Sequence, residues 1–199
     1  MRPTGGGLSD TEAIAASLEE GTAFEVVFER HYGRIYGYLA KRVGPSAAED
    51  LASDVFAVAF QQRATFHPDA TSAGPWLYGI AANLAKRHYR SLSRHRRAIG
   101  RAGGGSAVWL DPDLEGRIDA QRRATELNKV LSRLRSQDRE VLLLFALADL
   151  SYDEIGLALS IPVGTVRSRL SRTRSRLRNL LPPEGQQGSS TVDKPEGGA

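Results

Sequence analysis

Between Thr165 and Arg176 the chain reads TVRSRLSRTRSR, a spacing of arginine and serine suited to reading a nucleic acid. Val166, Leu170, Thr173 and Leu177 recur at helical spacing and predict one narrow buried stripe. At about 100° per residue, Ser168, Ser171, Arg172 and Ser175 point away from that stripe, with Thr165, Arg167, Arg169, Arg174 and Arg176 on its flanks. An arginine fork can bridge two acceptors on a guanine edge or hold a phosphate, and serine lets the helix approach closely. Thr165, Arg167, Ser168, Arg169, Ser171, Arg172 and Arg174 are therefore the candidate readers of double-stranded DNA. A solvated basic face is the plain alternative. Against it stand six arginines between Arg167 and Arg178, with no acid from Ile155 to Pro183.

A second basic block, Lys86, Arg87, Arg90, Arg94, Arg96 and Arg97, is interleaved with His88, Tyr89 and His95. That mixture can hold a phosphate backbone and a few bases together, although a solvated helix end would have a similar composition. Catalysis has little to build on. His31, His67, His88 and His95 show no metal-ligand spacing, and neither a glycine-rich phosphate loop nor a two-metal carboxylate cluster occurs. No catalytic residue, metal or cofactor is expected. The chain has no cysteine, which removes disulfides and thiol chemistry and is compatible with a reducing cytoplasm.

The elements that position these residues read as helices throughout, so the predicted fold class is all-α. Ser151 and Glu154 form a capping box that opens a helix carrying Ile155 and Leu159. Pro162 suits the first turn of the next helix, leaving Ser160 and Ile161 as a tight turn. Two short helices joined in this way, the second with an arginine-rich face, make a helix-turn-helix. Leu127, Val130, Leu131 and Leu134 mark one supporting helix. A second, capped by Ser136, carries Val141, Leu142, Phe145 and Ala148.

The N-terminal half predicts a helix from about Ser9 to Glu20, then one opened by a Thr22–Glu25 box with Phe24, Phe28, Ile35, Leu39 and Val43 inward. A Ser46–Glu49 box opens the next, burying Leu51, Val55, Val58 and Ala59 and leaving Asp50, Ser53, Asp54 and Gln61 on its other faces. FHPDATSAGP, from Phe66 to Pro75, is a loop. Helix resumes at Trp76, a core residue by its neighbours Leu77 and Ile80, with Ala81, Leu84 and His88 completing the stripe.

A chain of 199 residues can hold one medium domain or two small ones, and its net charge of +4 is only moderately basic. The charge is segregated, with no acid between Ala70 and Leu110. No apolar run approaches the ~20 residues of a membrane span, and MRPTGGGLSD lacks the apolar core of a signal peptide, so membrane insertion is not expected and a cytoplasmic location is. The expected organisation is a disordered start (1–9), a helical domain (10–97), a flexible linker (98–119) with Gly103, Gly104, Gly105, Trp109, Asp111, Asp113 and Glu115, a helix-turn-helix domain (120–181) and a disordered tail (182–199).

AAEDLASDVFAVAF, then GPWLYGIAANLAKRHYR, then SRLRSQDREVLLLFALADLSYDEIGLALSIPVGTVRSRLSRTRSRLR occur in the order and spacing of the sigma-70 family. Over about residues 10–181 the chain resembles its small extracytoplasmic-function (ECF) branch, which keeps the second and fourth conserved regions. That resemblance implies a specificity subunit of RNA polymerase. It places Asp50, Ser53, Asp54 and Phe56 against a coiled coil of core RNA polymerase, where carboxylates suit a basic partner. It makes the 66–74 loop, with Phe66, His67 and Asp69, the captor of a base flipped from the −10 element. Asn83 then helps form the pocket, and Lys86, Arg87 and Arg90 hold phosphates near the melted start. The readers named in the first paragraph would take the double-stranded −35 element, and the linker acids would mimic nucleic acid inside the polymerase. An anti-sigma protein that covers both basic surfaces is a further implied partner.

Two other classes remain open on the residues alone. An autonomous helix-turn-helix regulator would use the same recognition helix without polymerase, yet leaves a second basic domain with Asn83 and its loop unexplained. An enzyme acting on nucleic acid lacks the required side chains.

Overall fold

The computed structural model describes residues 7–98 and 118–180. Expectations for 1–6, 99–117 and 181–199, the linker acids Asp111, Asp113 and Glu115 among them, lie outside the described residues. Within these, eight α-helices and two short 3-10 turns form and no strand occurs.

Ser9 is a formed cap and not part of a disordered start. Its Oγ accepts from the Glu12 N–H at 3.2 Å while the Glu12 carboxylate accepts from the Ser9 N–H at 2.8 Å, which opens α1 (Asp10–Ala16). The helix stops short of the expected Glu20, and Leu18 beyond it is 53% exposed, so nothing apolar holds a further turn. A 3-10 turn at Gly21–Phe24 leads into α2 (Glu25–Val43), and the expected Thr22–Glu25 box is absent because Thr22 Oγ1 donates to the Glu20 carboxylate instead.

Gly44, at φ 87°, turns the chain between α2 and α3 (Pro45–Gln62) in a conformation that side chains other than glycine's disfavour. Pro45 follows at the first helical position, where it needs no N–H. The Ser46–Glu49 box is absent because Gly44 already stands at the cap and Ser46 lies inside the helix. After a 3-10 turn at Arg63–Thr65 and the loop, α4 (Gly74–Ala98) begins two residues before the expected Trp76. The second half comprises α5 (Ile118–Ser132), α6 (Ser136–Leu147), α7 (Tyr152–Leu159) and α8 (Val163–Leu180). Arg135 is the cap residue of α6, with Ser136 its first helical residue, and Phe145 faces solvent while Leu143 and Leu144 turn inward.

Val27, Ile35 and Leu39 of α2, Leu51, Val55 and Ala59 of α3, and Leu77, Ala81 and Ala85 of α4 share one buried cluster. Each valine, leucine or isoleucine among them, removed from water, contributes about 1.5–3 kcal/mol, and each alanine less. The cluster continues through Val141, Leu144, Ala148, Ile155, Val166 and Leu170, so residues of both halves contribute to it. Arg42 of α2 reaches across with a bidentate bond to Glu140 of α6, Nη2 to each carboxylate oxygen at 2.8 Å, both side chains buried. Arg42 also donates to the Tyr38 hydroxyl, and its backbone carbonyl accepts from the Tyr89 hydroxyl of α4. Where α4 meets α7, a Cβ on Gly79 would collide with the Ala158 carbonyl oxygen, so glycine sets how closely those helices approach.

Candidate nucleic-acid interface

The helix-turn-helix forms as its spacing predicts. Ser151 Oγ accepts from the Glu154 N–H at 3.3 Å and the Glu154 carboxylate returns the bond to the Ser151 N–H at 2.8 Å. Ser160 takes the left-handed conformation at φ 52°, and α8 begins at Val163. Val166, Leu170 and Thr173 are buried on the inner face of α8, Leu177 is half-buried, and Arg167, Ser168, Ser171, Arg172, Arg174, Ser175 and Arg176 are exposed. Thr165 and Arg169 are half-buried, and Arg169 donates to the Gln137 side chain at 2.9 Å. Arg172 lies 3.6 Å from Asp138, whose side chain is 5% exposed, so its guanidinium is partly neutralised. Arg174 stands over the Phe145 ring at 5.4 Å.

The second region is a cleft of about 330 Å³. Phe66, His67, Trp76 and Asn83 line it from the N-terminal half, with Gln62, Thr65 and Ser72, and Leu157 and Ala158 of α7 close it with Ser160 of the turn that follows. The Phe66 and Trp76 rings pack 5.2 Å apart, so Trp76 is a half-buried wall as much as a core residue. Two aromatic faces beside an amide that can both donate and accept make chemical provision for a flat heterocycle. Asp69 lies outside the cleft in an exposed turn, where its N–H donates to His67 Nδ1 at 3.3 Å. Along α4 beyond Asn83, Arg87, Arg90, Arg94 and His95 are exposed and Lys86 is half-buried, while Tyr89 turns inward.

On α3, Asp50, Ser53 and Asp54 share an exposed face. Phe56 does not join them: it is 5% exposed and packs against Phe28 and Tyr32, at ring separations of 4.9 and 6.0 Å. Its inward turn follows from the helical period, which sets it beside Ala52 and Ala59 in the core.

Sequence reasoning did not single out Asp10, Arg42, Gly79, Glu140 or Leu157. A signal existed for Arg42, which falls at helical spacing from Ile35 and Leu39 on a stripe that must be buried. Among the described residues no group of His, Cys, Asp or Glu could hold a metal ion, and no helix is long and apolar enough to cross a membrane.

Comparison with known proteins places both regions. Residues 27–95 match the family described as sigma-70 region 2, and residues 124–177 match sigma-70 region 4. The RNA polymerase sigma factor CarQ of Myxococcus xanthus is 35% identical over 163 residues, covering 80% of this chain and 89% of that protein. The ECF RNA polymerase sigma factor SigE of Mycolicibacterium smegmatis is 30% identical over 181 residues, covering 90% and 68%. Among solved structures, CnrH in complex with the cytosolic domain of CnrY superposes with a TM-score of 0.59 at 22% identity, over 86% of this chain and 96% of that one, a likeness of fold. With both family regions present in order and relatives matched over most of their length, this chain belongs to the ECF branch of the sigma-70 family.

Proposed function

We propose that the chain is a non-enzymatic, cytoplasmic specificity subunit that binds core RNA polymerase, directs it to particular promoters and helps open the DNA. Asp50, Ser53 and Asp54 form the face offered to the polymerase, with Phe56 shaping it from beneath. Arg167, Ser168, Ser171 and Arg172 read the −35 duplex, flanked by Thr165, Arg169 and Arg174. Phe66, His67 and Asn83 take a base of the −10 strand into their cleft, Asp69 borders it, and Lys86, Arg87 and Arg90 hold the neighbouring phosphates. Melting draws on binding energy, since each base held out of the stack offsets part of the cost of unpairing.

What supports this reading best is the pairing of two unlike sites in one chain, an exposed arginine and serine helix face for a duplex and an aromatic cleft with an amide for a single base. A regulator that binds duplex DNA alone has use for the first and none for the second. A protein that masks both surfaces would silence the subunit, and an anti-sigma partner fits that role. Footprinting of promoter fragments with and without core polymerase separates the readings. Protection that requires polymerase supports the sigma function, and equal specific protection by the chain alone supports the autonomous regulator.

A further inference from the structure

The loop that borders the cleft is anchored from a part of the chain that touches neither nucleic-acid surface. Asp10, the first residue of α1, is 4% exposed, and its carboxylate gathers four donors. The Ala73 N–H donates to Oδ2 at 2.7 Å and Ser72 Oγ at 3.1 Å, both from the end of the loop. From α2, His31 Nε2 lies 2.7 Å from Oδ2, and Arg30 donates to Oδ1. Thr11 adds a bond from its Oγ1 to the Ala70 carbonyl at 2.7 Å, and Ser72 Oγ accepts in turn from the Gly74 N–H at 3.1 Å, where α4 begins.

Residues 70–74 are thus tied to α1 by three bonds, two of them to the Asp10 carboxylate, and braced by the Gly74–Ser72 bond within, while His67 and Asp69 stand exposed at the loop's other end. Irregular backbone has no ladder of its own, so these bonds decide where the loop stops and α4 starts. A buried carboxylate is costly unless donors surround it, and here they do. Burial pushes the Asp10 pKa up, but hydrogen bonds from Ala73, His31 and Arg30 outweigh it and hold it at about 2, so the group stays ionised. Docking α1 by itself needs no charge, because Ala13 and Ile14 already lie in the core.

We propose that Asp10 is a positioning residue for base selection: it fixes the exit of the 66–73 loop so that Phe66 and His67 face Asn83 across the cleft at one spacing. This rests on the reading of that loop as the segment that captures a −10 base.

The test uses holoenzyme assembled from core polymerase with the native chain, Asp10→Asn, Ser72→Ala or Asn83→Ala, and promoter fragments in which each −10 or −35 base is replaced in turn. Open-complex formation is read by permanganate reactivity. Asp10→Asn is expected to lower the preference at the captured −10 base by about tenfold, the discrimination one good base contact supplies, and to leave the −35 preferences as they were. Ser72→Ala, which removes one bond and no charge, gives a smaller loss of the same kind. An unchanged −10 preference in folded Asp10→Asn overturns the proposal, whereas loss of folded protein lowers use of all promoters alike and keeps every ratio, a pattern distinct from the expected one. Should Asp10→Asn fail to fold, the combined Thr11→Val and Ser72→Ala variant decides the matter, and a native −10 preference there overturns it. The underlying reading fails separately: a native chain without −10 preference, or Asn83→Ala with native preference, removes the loop's role itself. Reduced preference in Asn83→Ala beside native preference in Asp10→Asn removes only the anchor.

Discussion

Replacing Glu140 with alanine leaves the Arg42 guanidinium in the interior with the Tyr38 hydroxyl and no carboxylate. The Arg42 side chain is 0% exposed and that of Glu140 8%, so water does not replace the two lost bonds without opening the core. Arg42 Nε already lacks a hydrogen-bond partner among the described residues, which leaves no slack at this site. Breaking a buried pair from one side costs about 3–5 kcal/mol, against a total stability of about 5–15 kcal/mol for a domain. With a urea slope near 2 kcal/mol per molar, the unfolding midpoint of Glu140→Ala should fall by about 2 M. Circular dichroism and tryptophan fluorescence, followed together, should show one transition in the native chain. They should separate in the variant, because the pair joins α2 of one half to α6 of the other. The double variant Arg42→Met, Glu140→Leu removes both charges and should lie within about 1–2 kcal/mol of native stability. A loss below about 1 kcal/mol for Glu140→Ala, the range of a solvated pair, would refute the buried bridge and with it the shared core.

Other substitutions address the proposed surfaces. Arg172→Ala should weaken promoter use by about 1–3 kcal/mol with a dependence on −35 sequence, measured by transcription from substituted promoters, whereas an equal loss on every DNA would reduce it to a phosphate contact. Asp50→Arg together with Asp54→Arg should abolish co-elution with core polymerase and leave helicity unchanged, since both side chains are exposed. Asp10 sets an acid limit. Its pKa in the folded chain, about 2, lies below its ordinary value of 3.8. Its contribution of about 2 kcal/mol is therefore complete above about pH 4 and is lost as pH falls through about 2. Asp10→Asn should flatten stability across that window in urea titrations.

Local patterns were legible where sequence chemistry alone decides the outcome. Ser151 with Glu154 and the period of Val166, Leu170 and Thr173 specify the helix-turn-helix, and the structure places these as the spacing requires, while Pro162 stands just before α8 and not in its first turn. Elsewhere the caps depart from the pattern because a serine or threonine three residues before a glutamate is necessary for a box and not sufficient. At Ser46 a glycine and proline pair had already started the helix, and at Thr22 a 3-10 turn intervened. Ser9 with Glu12 carries the same pattern and does form, within a stretch whose glycines read as disorder. The packing of the two halves was not legible, because it depends on Gly79 of α4 meeting Ala158 of α7 and on Arg42 of α2 finding a carboxylate 98 residues away on α6, and no periodicity encodes such pairings. The cleft followed in part. Phe66, His67 and Asn83 follow from the family resemblance, while Leu157, Ala158 and Ser160 enter only through that interdomain contact.

The central claim is tested most directly by transcription from a panel of promoters using core RNA polymerase with and without this protein, with permanganate mapping of unpaired thymines on the same templates. Promoter-specific transcripts that need the protein, and an open bubble at the same promoters, are the expected result. Sequence-specific binding of the protein to DNA with neither transcript nor bubble in the presence of polymerase would contradict it.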